Sequence, residues 1–287
     1  MDWFKFLVEW IEEHRVPIGA WAKAVVDWLT TNGYWFFRWL SAVLSSVIDG
    51  LLWVLDTPHP FAVMAAFALL SYCLRRSIAL ALFTFCGFLF IFNQGYWEQT
   101  TQTLALVSAA TFVSMLIGIP LGIAAARREW LYNAMRPILD LMQTLPSFVY
   151  LIPALILFGL GMVPGLIATV IFAIPAPIRL TRLGIISTPG ALTEAAVAFG
   201  ATPSQVLRKV ELPYATPQIM AGLTQTIMLS LSMVVIAALV GANGLGVPVL
   251  RALNTVNVAR GFDSGLCIVI LAIILDRMFR TSQGGAS

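Results

Sequence analysis

Paired arginines, glycines and prolines cut this chain into long apolar runs, and that punctuation constrains its fold more than any single motif. The runs lie at 60–74, 77–95, 99–126, 134–160, 163–182, 214–241 and 263–280. A helix crosses a hydrocarbon layer with about 20 apolar residues. An open strand cannot, because every backbone group must be satisfied internally there. The sequence therefore predicts an all-α polytopic membrane protein of about seven spans. Composition supports this: charged residues make up 11% of the chain, against roughly 25% in soluble domains. A net charge of +3 over such a chain is no nucleic-acid signal. Cys73, Cys86 and Cys267 all fall within apolar runs without metal-ligand spacing, and are expected to be packed or lipid-facing thiols.

The N-terminal region, 1–57, reads differently from the membrane-spanning part, 58–287. Trp3, Trp10, Trp21, Trp28 and Trp35 alternate with Lys5, Glu9, Glu12, Glu13, Lys23 and Asp27. Tryptophan favours the headgroup zone, so an interfacial helix is expected, and the acidic residues argue against a cleavable signal. In 36–56, Arg38, Ser41, Ser45 and Asp49 form one polar stripe. An amphipathic helix in the membrane plane is expected there, with a crossing as the alternative.

Basic residues set the orientation. Arg75, Arg76, Arg127, Arg128, Arg136, Arg179, Arg182, Arg208, Lys209, Arg277 and Arg280 fall on one side, which makes the C-terminus cytoplasmic and the N-terminus external. The N-terminus moves inside if 36–56 crosses. Arg251 and Arg260 stand on the opposite side.

Residues 188–213 form a charged island between two apolar runs. Thr188-Pro189 predicts a helix start, Gly200 a left-handed stop, Thr202-Pro203 a second start and Leu212-Pro213 a second stop. Two short helices joined at a small-residue corner make a protruding knob suited to being held by another protein.

Polar residues also recur within the runs. Asp140, Gln143, Ser147 and Tyr150 are spaced as one stripe of a single helix, with Pro146 and Pro153 as points of softening. Gln218, Gln225 and Ser232 recur every seven residues. In hydrocarbon such groups face other helices or a water-filled cavity. Lining of a path is expected for Gln143, Ser147, Tyr150, Gln225 and Ser232, with interhelical hydrogen bonding as the alternative. Gly118-Ile-Pro-Leu-Gly122 is a small-xxx-small pair that predicts close helix packing. Asp140 is the single candidate for a buried carboxylate, fewer than proton-coupled transport favours. No phosphate-cradling loop, zinc-ligand cluster or nucleophile elbow occurs, so no catalytic or metal site is expected. His14 and His59 read as interface residues, His59 in a turn between prolines.

The spacing Glu194-Ala195-Ala196, three residues, Gly200, nine residues, then Val210-X-Leu212-Pro213 resembles the coupling loop of permeases of bacterial ATP-binding-cassette importers. Val210 is a mild departure, since the family more often has isoleucine there. The stretches Gln143–Pro153, Ile174–Thr181, Leu229–Ala237 and Ile268–Arg277 resemble permeases that import glycine betaine, proline betaine or choline. So do Pro17–Trp21 and Val26–Thr30.

The resemblance implies a type I importer transmembrane domain in a bacterial inner membrane, working as two permease copies. It implies two cytoplasmic ATPase subunits, which bind the ATP and magnesium, so this chain itself would hold no cofactor. An extracytoplasmic binding protein would deliver the ligand, and its aromatic cage would carry most of the selectivity. Glu194, Ala195, Ala196, Gly200, Ala201, Leu212 and Pro213 would form the ATPase contact, and the N-terminal region would brace the assembly. Two other classes stay open on the residues alone. A stand-alone secondary transporter or channel would move solute without ATP. A scaffold without a path would tolerate leucine along both polar stripes.

Overall fold

A computed structural model describes residues 17–280, together with Trp3, Val8 and Trp10. Lys5, Glu9, Glu12, Glu13 and His14 lie outside the described residues. Helices α1 (Ile18–Asn32) and α2 (Tyr34–Asp56) meet at Gly33. Then come α3 (Pro60–Arg75), α4 (Ile78–Asn93), α5 (Trp97–Arg127), α6 (Glu129–Thr144), α7 (Ser147–Phe158), α8 (Met162–Ala173) and α9 (Pro175–Ile186). The chain continues through α10 (Gly190–Ala198), α11 (Pro203–Val206), a π-turn (Leu207–Glu211) and α12 (Leu212–Ser232). It ends in α13 (Val234–Ala238), α14 (Gly246–Asn254) and α15 (Val258–Phe279).

Helix α9 is wedged between α5 and α12, and glycines allow the fit. A Cβ on Gly118 would lie 2.7 Å from the Pro177 ring, and one on Gly122 would lie 2.8 Å from the Ile178 carbonyl oxygen. On the other side of α9, a Cβ on Gly184 would lie 2.9 Å from the Ala215 Cβ. The small-xxx-small pair is thus a packing device, since bare backbone lets helices approach within the reach of dispersion forces. Around this wedge, Ala105, Leu106, Ala109, Leu166, Ile178 and Ala237 form one apolar core. Phe88, Ile91, Cys267, Leu271 and Ile274 form a second, which joins α4 to α15. Cys267 is buried, Cys73 and Cys86 are exposed, and all three thiols are free.

The seven apolar runs differ in kind. Among the described residues, α2, α5, the 25-residue pair α8–α9 and α15 are long and apolar enough to cross a membrane. Helices α3 and α4 have 16 residues each, about 24 Å of helix, and pair as a hairpin. Ser71 and Thr84 satisfy each other across it at 3.0 Å. His59 caps α3, its Nδ1 accepting from the Phe61 amide at 3.4 Å. Helix α12 has 21 residues but carries Pro213, Thr216, Pro217, Gln218, Thr224 and Gln225 and is more polar than the other long helices. Helix α2 turns Leu44 and Ile48 into the first core, while Trp39, Val43, Val47 and Val54 stay exposed beside Arg38 and Asp49.

Two expectations need correction. The run 134–160 is not one helix: α6 and α7 meet at 97°. Leu145 and Pro146 are both extended, with ψ of 135° and 131°. The ring of Pro146 disfavours helical backbone at the residue before it, which turns an expected kink into a corner. Pro153 leaves α7 unbroken. The run 214–241 ends its long helix at Ser232, turns at Met233 and finishes in the short α13.

Candidate coupling corner and polar path

The knob forms largely as its sequence dictates. Gly200 takes φ +81° after the α10 cap. Its amide bonds the Val197 carbonyl at 2.8 Å, and the Ala201 amide reaches back to the Ala196 carbonyl at 3.0 Å. Together these close the helix in a Schellman motif. Apart from its own chain neighbours, no atom of the described residues lies within 4 Å of a Cβ built on Gly200, so its requirement is backbone conformation, not space. Thr202 starts the second helix, its amide donating to Gln205 Oε1 at 2.7 Å. That contact is one half of a capping box.

The knob departs from expectation at both flanks. Helix α10 begins at Gly190 after an extended Pro189, so Thr188 is not its cap, and the Thr188 hydroxyl is buried without a partner among the described residues. Leu212-Pro213 does not stop the second helix. The chain runs through the π-turn directly into α12, with Pro213 in the first turn. A proline ring collides with the carbonyl four residues earlier, and the widened π-turn relieves that collision while keeping the rod continuous. The knob is therefore joined rigidly to α12.

Helix α10 buries no residue. Glu194 and Ala195 are exposed and Ala196 and Ala201 half-buried. Phe199, at the corner, is 93% exposed, with Val197 and Leu192 beside it. Sequence reasoning missed Phe199, although an aromatic residue beside the stop glycine of a charged loop is itself a signal.

Ion pairs fasten this end of the bundle. Arg127, closing α5, holds Glu211 of the π-turn at 2.5 Å. Arg179 of α9 holds Asp140 of α6 at 2.6 Å, and Arg136 lies 4.0 Å from the same carboxylate. Arg182 covers the Tyr132 ring at 3.7 Å, a cation–π contact. Arg75 donates to the Arg280 carbonyl at 2.5 Å, so the ends of α3 and α15 meet as well. Asp140 is thus half-exposed and ion-paired instead of a buried carboxylate.

The polar stripes do not assemble as spaced. The corner at Pro146 separates Gln143 on α6 from Ser147 and Tyr150 on α7. Tyr150 is buried in a cluster with Leu151, Ala168, Met233 and Val240, and it borders a cleft of about 550 Å³ against α1. On α12, Gln225 and Ser232 are exposed on the surface of the single chain. The Ser232 hydroxyl is satisfied by the Met228 carbonyl at 3.0 Å. One chain therefore brings Tyr150 beside Met233, the neighbour of Ser232, and leaves Gln225 on an outer face.

Residues 118–282 match the family of binding-protein-dependent transport system inner membrane components. The chain is 45% identical to the glycine betaine transport system permease protein OpuAB of Bacillus subtilis, over 92% of this chain and 93% of that protein. It is 43% identical to the glycine betaine/carnitine transport permease protein GbuB of Listeria monocytogenes, over 92% and 94%. Among solved structures it resembles the inward-facing MetNI methionine ABC transporter, with a TM-score of 0.56, 25% identity, and coverage of 61% of this chain and 88% of that one.

Proposed function

We infer the activity of this chain from the family to which it belongs, the binding-protein-dependent transport system inner membrane components, permease subunits of ATP-binding-cassette importers. The chain is a multi-pass inner-membrane transport subunit and works with an ATPase and a substrate-binding protein. Its cargo, on our reading, is a quaternary ammonium solute, glycine betaine or choline. The observation that carries this is 45% identity over nearly the full length of a glycine betaine permease.

In the proposed assembly two copies face each other and two ATPase subunits bind ATP and magnesium. Each knob, through Glu194, Ala195, Ala196, Gly200, Ala201, Leu212 and Pro213, seats in an ATPase cleft on the cytoplasmic side. Nucleotide binding stabilises one position of the knob over the other, and α12, continuous with it, carries the displacement into the bundle. Gln225 and Ser232, exposed on one chain, would face a path between two copies, with Gln143, Ser147 and Tyr150 along its wall. The contact of α1 and α2 with α5, α7 and α8 supports a bracing role for residues 1–57.

The test is ATP-driven uptake of radiolabelled glycine betaine and choline into vesicles holding this chain, its ATPase and its binding protein, with and without Gly200→Val, whose β-branched side chain resists the left-handed backbone of that corner. Uptake of either solute that the substitution abolishes while the subunits stay assembled supports the reading. Uptake without the ATPase, or unimpaired by Gly200→Val, rejects it.

A further inference from the structure

A cavity of about 420 Å³ opens where α5 begins. Helix α5 has 31 residues, about 46 Å of rod, so this cavity lies at the end of the bundle remote from Arg127 and the knob. Its wall includes Tyr96, Glu98, Gln99, Asn243, Arg251 and Arg260. Its volume falls within the roughly 300–1,000 Å³ of small-molecule sites.

The floor is built firmly. Gly244, at φ +133°, lies so close to Thr103 that a Cβ would meet its hydroxyl at 2.6 Å. The same hydroxyl accepts the Leu245 amide at 2.8 Å.

The charges are unbalanced. Neither Arg251 nor Arg260 belongs to any ion pair among the described residues. Arg260 occupies the first turn of α15, where Asn257 accepts its amide at 3.1 Å. A cation there opposes the positive end of the helix dipole and costs the helix stability. Both arginines also lie on the face from which the positive-inside rule depletes basic residues. They are joined by a turn in which Val256, a β-branched residue, holds φ +51°, an outlying conformation sustained by its surroundings. Beside them, the Glu98 carboxylate accepts from Gln102 Nε2 at 3.2 Å and belongs to no ion pair among the described residues. The Gln99 Oε1 is buried without a hydrogen-bond partner among the described residues. Paired guanidinium donors attract a carboxylate, while a carboxylate and an aromatic ring attract an alkylammonium.

We propose that this cavity is an entry subsite for a zwitterionic solute, with Arg251 and Arg260 receiving its carboxylate and Glu98 and Tyr96 its ammonium group. The solute class rests on the importer reading above.

Saturation-transfer NMR tests this on the permease–ATPase complex in nanodiscs without binding protein. The probes are glycine betaine, its uncharged-head isostere 3,3-dimethylbutyrate, and tetramethylammonium. Transfer to glycine betaine should fall at least fivefold in the Arg251→Gln/Arg260→Gln double variant, while transfer to tetramethylammonium should not. Glu98→Gln should weaken tetramethylammonium and spare 3,3-dimethylbutyrate. Both arginines are exposed and unpaired, and gel filtration of the complex verifies assembly. Absent transfer in the wild type, or equal transfer in the double variant, overturns the subsite. So does intact transfer with loss of binding-protein-stimulated ATPase activity, which would make the arginines a protein-docking pair. Vesicle uptake is scored separately: uptake without transfer rejects the subsite and leaves the importer, and arginine-dependent transfer without uptake does the reverse.

Discussion

Arg127 and Glu211 are 84 residues apart in sequence, and their side chains meet at 2.5 Å. The pair fastens the end of α5 to the π-turn through which the knob enters α12. The Glu211 side chain is 10% exposed, whereas the Arg127 side chain is 41% exposed. That asymmetry makes the two halves unequal. Arg127→Ala leaves a buried carboxylate without its counter-ion, whereas Glu211→Gln removes the buried charge and keeps a hydrogen-bonding group. Arg127→Ala should cost about 1–3 kcal/mol, Glu211→Gln about 1 or less. Denaturation of the purified chain in detergent checks the order, and a larger cost for Glu211→Gln would refute it. In the assembled transporter, Arg127→Ala should lower solute moved per ATP hydrolysed more than Glu211→Gln, because without Arg127 α5 no longer follows the knob.

The sequence carried the features that are local. Gly200 with its φ of +81°, the Thr202-Pro203 start and the Gly118/Gly122 approach each depend on residue types within a few positions, and each was legible. Pro146 was legible as a disturbance but not as a 97° corner, because the periodicity of Gln143, Ser147 and Tyr150 suited a continuous helix. The α14 helix was not expected, since it lies between the apolar runs 214–241 and 263–280, where no element was assigned. The pairs Arg127–Glu211 and Arg179–Asp140 join residues far apart in sequence, and no spacing announces them. Gln225 and Ser232 show a further limit: a single chain leaves them on its surface, and sequence periodicity cannot distinguish a lipid face from a face shared with a second copy.

Gly122 and Gly222 both face α9, at different clearances. A Cβ on Gly122 meets the Ile178 carbonyl oxygen at 2.8 Å, whereas on Gly222 its nearest contact is 3.4 Å. Gly122→Ala should therefore cost about 1–3 kcal/mol through overpacking. Gly222→Ala, at ordinary van der Waals clearance in a helix interior, should be neutral or stabilising by up to about 1 kcal/mol. Thermal unfolding in one detergent ranks them, and equal shifts would contradict the wedge geometry.

Gly200 needs a positive φ and has open space around it, so substitutions there should sort by backbone preference and not by size. Asn, which visits the left-handed region readily, should keep most ATPase association and uptake. Val, similar in volume to many tolerated surface residues but β-branched, should open the Ala201–Ala196 closure and abolish coupling. Co-purification with the ATPase provides the measurement. Equal loss in both variants would mean that the corner is read by shape, with backbone conformation secondary.

Phe199 offers the sharpest separation of folding from partnership. Its side chain is 93% exposed, so it contributes little to the stability of the isolated chain. Phe199→Ser should shift that stability by no more than about 0.5 kcal/mol. An exposed aromatic at the tip of a protruding corner, flanked by Val197 and Leu192, has the character of an interface anchor, whose burial in a partner's pocket carries a large share of the binding energy. Its removal should weaken ATPase association at least tenfold, about 1.4 kcal/mol or more. Titration of the ATPase against the chain in nanodiscs measures this. Unchanged affinity would place Phe199 outside the contact and move the anchor to the Glu194–Ala196 face of the same helix.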